Sequence, residues 1–122
     1  VGNTNLSFLR PLESHPKIIL ATISVLMLIL DFMPTIKFTS NLKRFYPNLS
    51  PIHADCKTVK EAVDLIEQNY SGLKDYIVDE NGSLRKHVNI FVGNQLIKDR
   101  KSLQDVLKDG DEVYVMQALS GG

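Results

Sequence analysis

One helix-forming segment stands between two groups of strand-forming segments in this chain, and that order narrows the choice of fold. Thr58, with Glu61 three residues later, is a capping-box signature, which predicts that a helix begins there. Gly72 ends the helical pattern. The apolar residues between these points recur at helical spacing and form one face: Val59, Ala62, Val63, Ile66 and Tyr70.

β-Branched and aromatic residues mark strands on both sides of this helix. The clearest strand alternates over 88–92, and the Gly93-Asn94 turn predicts a hairpin after it. The Asp109-Gly110 turn leads into the last strand, because glycine readily adopts the positive φ of such a turn. We expect strands at 36–38, 52–56, 88–92, 95–97 and 113–116, a polar connection at 42–47, and short helical turns at 73–78 and 102–107.

The resulting order of elements is strand, strand, helix, strand, strand, short helix, strand. It is typical of a β-grasp, an α+β fold in which a mixed sheet wraps round one main helix, as in ubiquitin. The last strand of this fold is central, so the chain that follows it leaves from a rigid support. We therefore predict a five-strand β-grasp over residues 33–117.

Residues 1–32 differ in composition from the remainder and contain a nearly continuous apolar run at 18–30. A helix over that run spans about 20 Å, short of the roughly 30 Å hydrocarbon core of a bilayer. Three interpretations are open: a signal-like or tethering segment flanked by Arg10 and Lys17, a helix packed on the domain, or upstream translation outside the working protein. We favour Met33 as the functional start, which gives an atypical extension, 1–32, and a β-grasp domain, 33–122.

Charge and cysteine content exclude several classes of function. The 14 basic and 14 acidic side chains give a formal net charge of zero, whereas nucleic-acid binders normally carry a basic excess. The single cysteine, Cys56, excludes an intrachain disulfide and any cysteine-rich zinc or iron–sulfur site, and we interpret it as an ordinary buried residue. His15, His53 and His87 lack metal-ligand spacing, so we expect no bound metal. Because the charge is balanced, we also expect no nucleic-acid partner.

The chain ends in Leu119-Ser120-Gly121-Gly122. The two glycines have no Cβ, so they form a thin strip of backbone that can thread a narrow channel. The carboxylate is inert by itself, but ATP can convert it to an acyl-adenylate that sulfur or nitrogen nucleophiles attack. We therefore predict a reactive tail at 118–122, with Gly122 as the reacting residue and Leu119, Ser120 and Gly121 in the threaded segment.

The outward face of the sheet is a second candidate site. If the β-branched residues of 88–92 and 113–116 face the helix, alternation turns the residues between them outward. An exposed patch of aromatic residues and methionine is typical of a partner surface. We predict that Phe91, Tyr114 and Met116 dock a partner. There are two alternatives: residues 18–30 cover these side chains, or the side chains are ordinary surface.

Three segments together resemble one known family. They are 88–92 with Asn94, 107–113 with its Asp-Gly-Asp turn, and the Ser-Gly-Gly end at 120–122. In these segments the chain resembles the ThiS/MoaD-type sulfur-carrier proteins. Segments 69–72 and 82–85 make it most similar to the branch that feeds cysteine biosynthesis. The resemblance covers 33–122, and residues 1–32 have no counterpart in the family.

The resemblance implies a cytoplasmic carrier that is not itself an enzyme. An E1-like enzyme would adenylate the Gly122 carboxylate with ATP, and a sulfur donor would displace AMP to leave a thiocarboxylate. In the cysteine branch the thiocarboxylate attacks an activated serine derivative on a PLP-dependent synthase, and a zinc-dependent peptidase releases the cysteine. The carrier itself binds no cofactor, because its partners supply the catalysis.

Three other functions fit the same sequence. A molybdopterin-synthase small subunit would use the same tail while docked on the large subunit of that enzyme. A ubiquitin-like modifier would be joined through its Gly-Gly end to lysines of other proteins. A plain interaction module would use no tail chemistry at all.

Overall fold

A computed structural model describes residues 16–118, so the predicted tail residues 119–122 lie outside the described part of the chain. The described residues divide into two units, one ending at Asp31 and the other beginning at Phe32. The described residues of the first unit form the helix α1, Pro16–Phe32, whose last residue already belongs to the second unit. Its large apolar side chains are mostly exposed, and no helix within residues 16–118 is long and apolar enough to cross a membrane. The choice of Met33 as the functional start stays a prediction.

The second unit contains a five-stranded mixed sheet. Its strands are β1, Thr35–Phe38; β2, Ile52–His53; β3, Val88–Val92; β4, Gln95–Leu96; and β5, Glu112–Gln117. The order across the sheet is β2-β1-β5-β3-β4, in which β1 and β5 are parallel and the other neighbours are antiparallel. The last strand is therefore central, and the predicted ubiquitin-like β-grasp is confirmed.

In the described part of this unit three helices accompany the sheet: α2, Ser40–Lys43; α3, Val59–Asn69; and α4, Lys74–Ile77. The start of α3 is the predicted cap. The Thr58 hydroxyl accepts the Glu61 N–H at 3.2 Å, and the Glu61 carboxylate accepts the N–H of Lys57 at 2.6 Å. Two donors at the helix start are thereby satisfied, which fixes where α3 begins.

The core lies between α3 and the inner face of the sheet. The side chains that meet there are at most 2 % exposed: Ile36, Val88, Ile90, Val113 and Val115 from the strands, and Val59, Ala62, Val63 and Ile66 from α3. Fully burying such a valine or isoleucine contributes about 1.5–3 kcal/mol. Cys56 is also buried, as predicted, and burial raises the pKa of its thiol.

The connection predicted at 42–47 differs from the expectation. Part of it belongs to α2, and Leu42 is buried in the core at 1 % exposure. Leu42, Phe45 and Tyr46 follow no sustained helical or strand period in this short segment, so the burial of Leu42 could not be recognised from the pattern. The predicted strand 52–56 is also shorter, since β2 contains only Ile52 and His53.

The helical turn predicted at 102–107 was wrong. Leu103 has a φ of +56°, and Val106 instead forms an isolated bridge with Thr58. The reason lies in Asp99, whose carboxylate accepts the N–H groups of Lys101, Ser102 and Gln104. The Asp99 carbonyl also accepts the Leu103 N–H at 3.1 Å, which closes a single turn, and the left-handed backbone of Leu103 cannot continue that turn into a right-handed helix.

Candidate functional site

The outward face of the sheet brings the three predicted docking residues together. Phe91 and Tyr114 are directly opposite each other in the β3–β5 register, and Met116 follows on the same face of β5. They line a shallow depression of about 310 Å³ with Gly93 and Asn94. Met116 is 40 % exposed, whereas Phe91 and Tyr114 are half-buried. The predicted geometry is therefore present, and the docking role stays a prediction.

A charged cluster that sequence reasoning missed lies at one end of this face. The Lys37 ammonium nitrogen is 3.0 Å from Glu112 Oε1 and 5.5 Å from the centroid of the Tyr114 ring. The Tyr114 hydroxyl donates to Glu112 Oε2 at 2.8 Å. The hydrogen bond with Glu112 raises the pKa of Lys37, and the same bond lowers the pKa of Glu112. These contacts hold Tyr114 in place.

Polarity changes along β5 from this cluster towards the tail. The outward residues in order are Glu112, Tyr114 and Met116, and Ala118 follows directly after the strand. The charged end of the face is thus at the start of the strand, and its apolar part is next to the base of the tail. A partner that covers Met116 and Phe91 would meet the tail where it begins.

The base of the tail is held by two hydrogen bonds. The Ala118 N–H donates to the His87 carbonyl at 2.8 Å, and Asn41 Nδ2 donates to the Gln117 carbonyl at 2.6 Å. Asn41 belongs to α2, which the sequence did not predict, so reasoning from the pattern missed it. The predicted reactive residue, Gly122, and the threaded residues Leu119, Ser120 and Gly121 lie outside the described residues.

Side chains that could hold a metal do not cluster in the described part of the chain. Within residues 16–118, no group of three or more histidine, cysteine, aspartate or glutamate residues is close enough to bind an ion. His53 instead lies with its Nδ1 3.1 Å from the Thr35 hydroxyl. The candidate site consists of the outward face of the sheet and the backbone at 117–118.

Comparison with known proteins places this geometry among sulfur carriers. The curated sulfur carrier protein CysO of Mycobacterium tuberculosis is 30% identical over 73 residues, which is 58% of this chain and 78% of that protein. The crystal structure of that CysO superposes with a TM-score of 0.60 at 25% identity, covering 70% of this chain and 99% of the other.

A chain of the Amycolatopsis orientalis BexX/CysO complex superposes with a TM-score of 0.63 at 26% identity. That alignment covers 73% of this chain and 99% of the other. The model of the ThiS family matches residues 36–122, from β1 through the central strand to the glycine pair. Because this match spans the whole sheet and the tail, the chain belongs to the ThiS family.

Proposed function

We propose that this chain is a sulfur carrier whose Gly122 carboxylate is adenylated and then converted to a thiocarboxylate. The observation that carries the proposal is the family match over 36–122, which includes the central strand and both terminal glycines. The similarity to CysO supports the same reading. The proposed reactive residue, Gly122, comes after β5 in the sequence, and β5 is the central strand of the sheet.

The chemistry divides into two steps, and partners catalyse both. The carboxylate oxygen attacks the α-phosphate of ATP, which forms the acyl-adenylate and releases pyrophosphate. Hydrosulfide, or a donor equivalent to it, then attacks the acyl carbon. A carbon–sulfur bond forms as the bond to AMP breaks, and AMP leaves. The chain itself contributes the acyl carbon, a tail without side chains at its end, and a docking surface.

The outward face is the proposed docking surface for the activating enzyme. Aromatic residues and methionine are enriched in the cores of interfaces, and Phe91, Tyr114 and Met116 form such a patch. The Lys37–Glu112 pair lies at its edge, where charged residues are common. A relative crystallised as a BexX/CysO complex supports docking on a partner protein.

We propose cysteine biosynthesis as the pathway that receives the sulfur. The similarity to the CysO proteins supports this choice over a molybdopterin-synthase small subunit. The acceptor would be an activated serine derivative on a PLP-dependent synthase, and a zinc-dependent peptidase would release the product. ATP is then a substrate of the activating enzyme, and this chain needs no resident cofactor.

Intact-mass measurement tests the function directly. The chain is incubated with the cognate E1-like enzyme, ATP and sulfide, and its mass is compared with that of the untreated chain. We expect a gain equal to the replacement of one oxygen by sulfur, and no gain for a chain that lacks Gly122. Isopeptide adducts with other proteins, found on the chain when it is recovered from native cells, would indicate a modifier instead. An unchanged mass, with no ATP–pyrophosphate exchange, would contradict both.

A further inference from the structure

The edge of β5 that faces β1 carries a regular series of hydrogen bonds. The Thr35 N–H donates to the Asp111 carbonyl at 2.9 Å, and the Thr39 N–H donates to the Val115 carbonyl at 3.2 Å. In a parallel ladder every second residue donates to the same neighbouring strand. The next bond in this series would join the N–H of Asn41 to the carbonyl of Gln117.

The backbone does not continue as a strand to make that bond, because the chain turns into α2 at Ser40. The side chain of Asn41 supplies the donor instead, and its Nδ2 lies 2.6 Å from the Gln117 carbonyl oxygen. The two residues are 76 apart in sequence, the same offset as between Thr39 and Val115. A side-chain amide thus replaces a backbone donor at the last position of the ladder.

The edge of β5 that faces β3 is also hydrogen-bonded at residues 117–118. There the Ala118 N–H donates to the carbonyl of His87 at 2.8 Å, and Gln117 is the register partner of Val88. The backbone at 117–118 is therefore bonded to both of its neighbours, immediately before the tail. Asn41 is half-buried, so water has restricted access to replace its amide.

We propose that Asn41 is a positioning residue for the reactive tail, which fixes the direction in which the backbone leaves the sheet at Ala118. This inference rests on the proposed function. The four residues after Ala118 reach roughly 14 Å when extended. Because the Gly122 carboxylate can lie no farther than this from Ala118, a displaced base shifts the whole range of positions that the carboxylate can reach in the activating enzyme.

The test uses the full chain and two variants with a matched control. Asn41→Asp keeps the shape of the side chain and removes the donor, and Asn41→Ala removes the whole amide. Asn69→Ala is the control, because Asn69 Nδ2 also donates to a backbone carbonyl, that of Leu65 at 2.8 Å, on the helix α3 away from β5. Asn41→Gln, which retains an amide donor, tests for rescue.

The first readout is independent of the proposed function. Amide hydrogen exchange is measured by NMR at Ala118 and, for comparison, at Ile90 in the middle of β3. We expect faster exchange at Ala118 in Asn41→Ala and Asn41→Asp, with Ile90 unchanged, and wild-type exchange in Asn69→Ala. If exchange at Ala118 is the same in all the chains, Asn41 does not hold the tail base and the proposal is wrong.

The second readout is ATP–pyrophosphate exchange with the cognate E1-like enzyme. We expect kcat to fall about tenfold in both donor-free variants, because the carboxylate is misplaced, while KM stays near the wild-type value. Asn41→Gln should recover part of kcat. A normal kcat, or an equal fall in Asn69→Ala, overturns the positioning role. If the wild-type chain itself is not activated, the proposed function fails. Amide hydrogen exchange at Ala118 then decides by itself whether Asn41 anchors the backbone.

Discussion

Phe91 on β3 and Tyr114 on β5 lie directly opposite each other in the sheet and on the face away from α3. Side chains paired in this way are held by the backbone register and stabilise one another. Tyr114 is further fixed by its hydrogen bond to Glu112. The centre of the candidate docking surface is therefore already ordered before any partner binds, which reduces the entropy cost of association.

Replacing Phe91 or Tyr114 with alanine should weaken binding to the activating enzyme and leave the fold intact. Each change removes apolar contact from the outward face and little from the core. We expect a loss of about 1 kcal/mol or more in binding free energy, measured by calorimetry. Phe45→Ala is the control, since Phe45 is also an exposed aromatic, 58 % exposed, but stacks on Tyr76 away from the strands. Wild-type affinity together with a large loss of stability would mean that Phe91 and Tyr114 serve the core.

Deleting Gly122 should abolish activation without lowering the melting temperature. One residue changes the reach of the chain by about 3.3–3.6 Å, while the attacking atoms must approach to about 3–3.5 Å. Adding one alanine after Gly122 should have the same effect, and Ser120→Ala, which keeps the length, should retain most of the activity. ATP–pyrophosphate exchange and thermal melts measure the two properties. Full activation of the shortened chain would show that the glycine pair is incidental.

A chain that begins at Met33 should fold about as stably as the full chain and be activated at the same rate. Among the residues that the structure describes, the buried core runs from Ile36 to Val115, and the truncation removes none of these side chains. It does remove the Phe32 carbonyl, which accepts the Gly110 N–H at 3.2 Å, and a chain that begins at Phe32 is therefore the matched comparison. A fall in melting temperature of more than several degrees in both shortened chains would show that residues 1–31 stabilise the domain.

Glu67 should make stability depend on pH in the acid range. Its carboxylate accepts the N–H groups of Gly72 and Lys74, and the bond from Gly72 in particular lowers the pKa of Glu67 from its usual 4.5. A group with a lowered pKa in the folded state stabilises the protein above its unfolded pKa, and that contribution is lost as pH falls through the folded value.

Chemical denaturation of the wild type and Glu67→Gln at a series of pH values checks this. We expect Glu67→Gln to be less stable at neutral pH and the difference to shrink as pH falls below 4.5. Glu80→Gln, a change at an exposed glutamate, should show no such trend. A stability difference between the two proteins that stays constant as the pH is lowered would mean that the charge of Glu67 does not matter for its two N–H bonds.

Local signals in the sequence predicted the elements that depend on local interactions. The start of α3 follows from Thr58 and Glu61, which are three residues apart and hydrogen-bonded in the structure. The outward position of Phe91 follows from the alternation of β3 alone. The central position of β5 came from the order of the elements, and the register confirmed it.

Contacts between distant segments were not predictable in the same way. Lys37 reaches Glu112, and Asn41 reaches Gln117, only because β1 and β5 are parallel with one particular register. Hydrophobic alternation tells which face a residue occupies, but not which residue of another strand lies beside it. The helical turn expected at 102–107 failed for a different reason. An aspartate such as Asp99 suits both a turn and a helix start, and here the positive φ of Leu103 ends the turn that Asp99 begins.

Because β5 lies between β1 and β3, the sheet depends on a strand that leaves the ribosome after its other four strands. In the sheet, β5 joins the β1–β2 pair to the β3–β4 pair, and its pairing with β1 closes a loop of more than seventy residues. We therefore expect the sheet to form only after β5 has been made. A chain cut short by a premature stop before β5 lacks both the joining strand and the glycine pair beyond it. We therefore expect such a chain to stay unfolded and open to proteolysis, without a docking surface that could occupy the proposed activating enzyme.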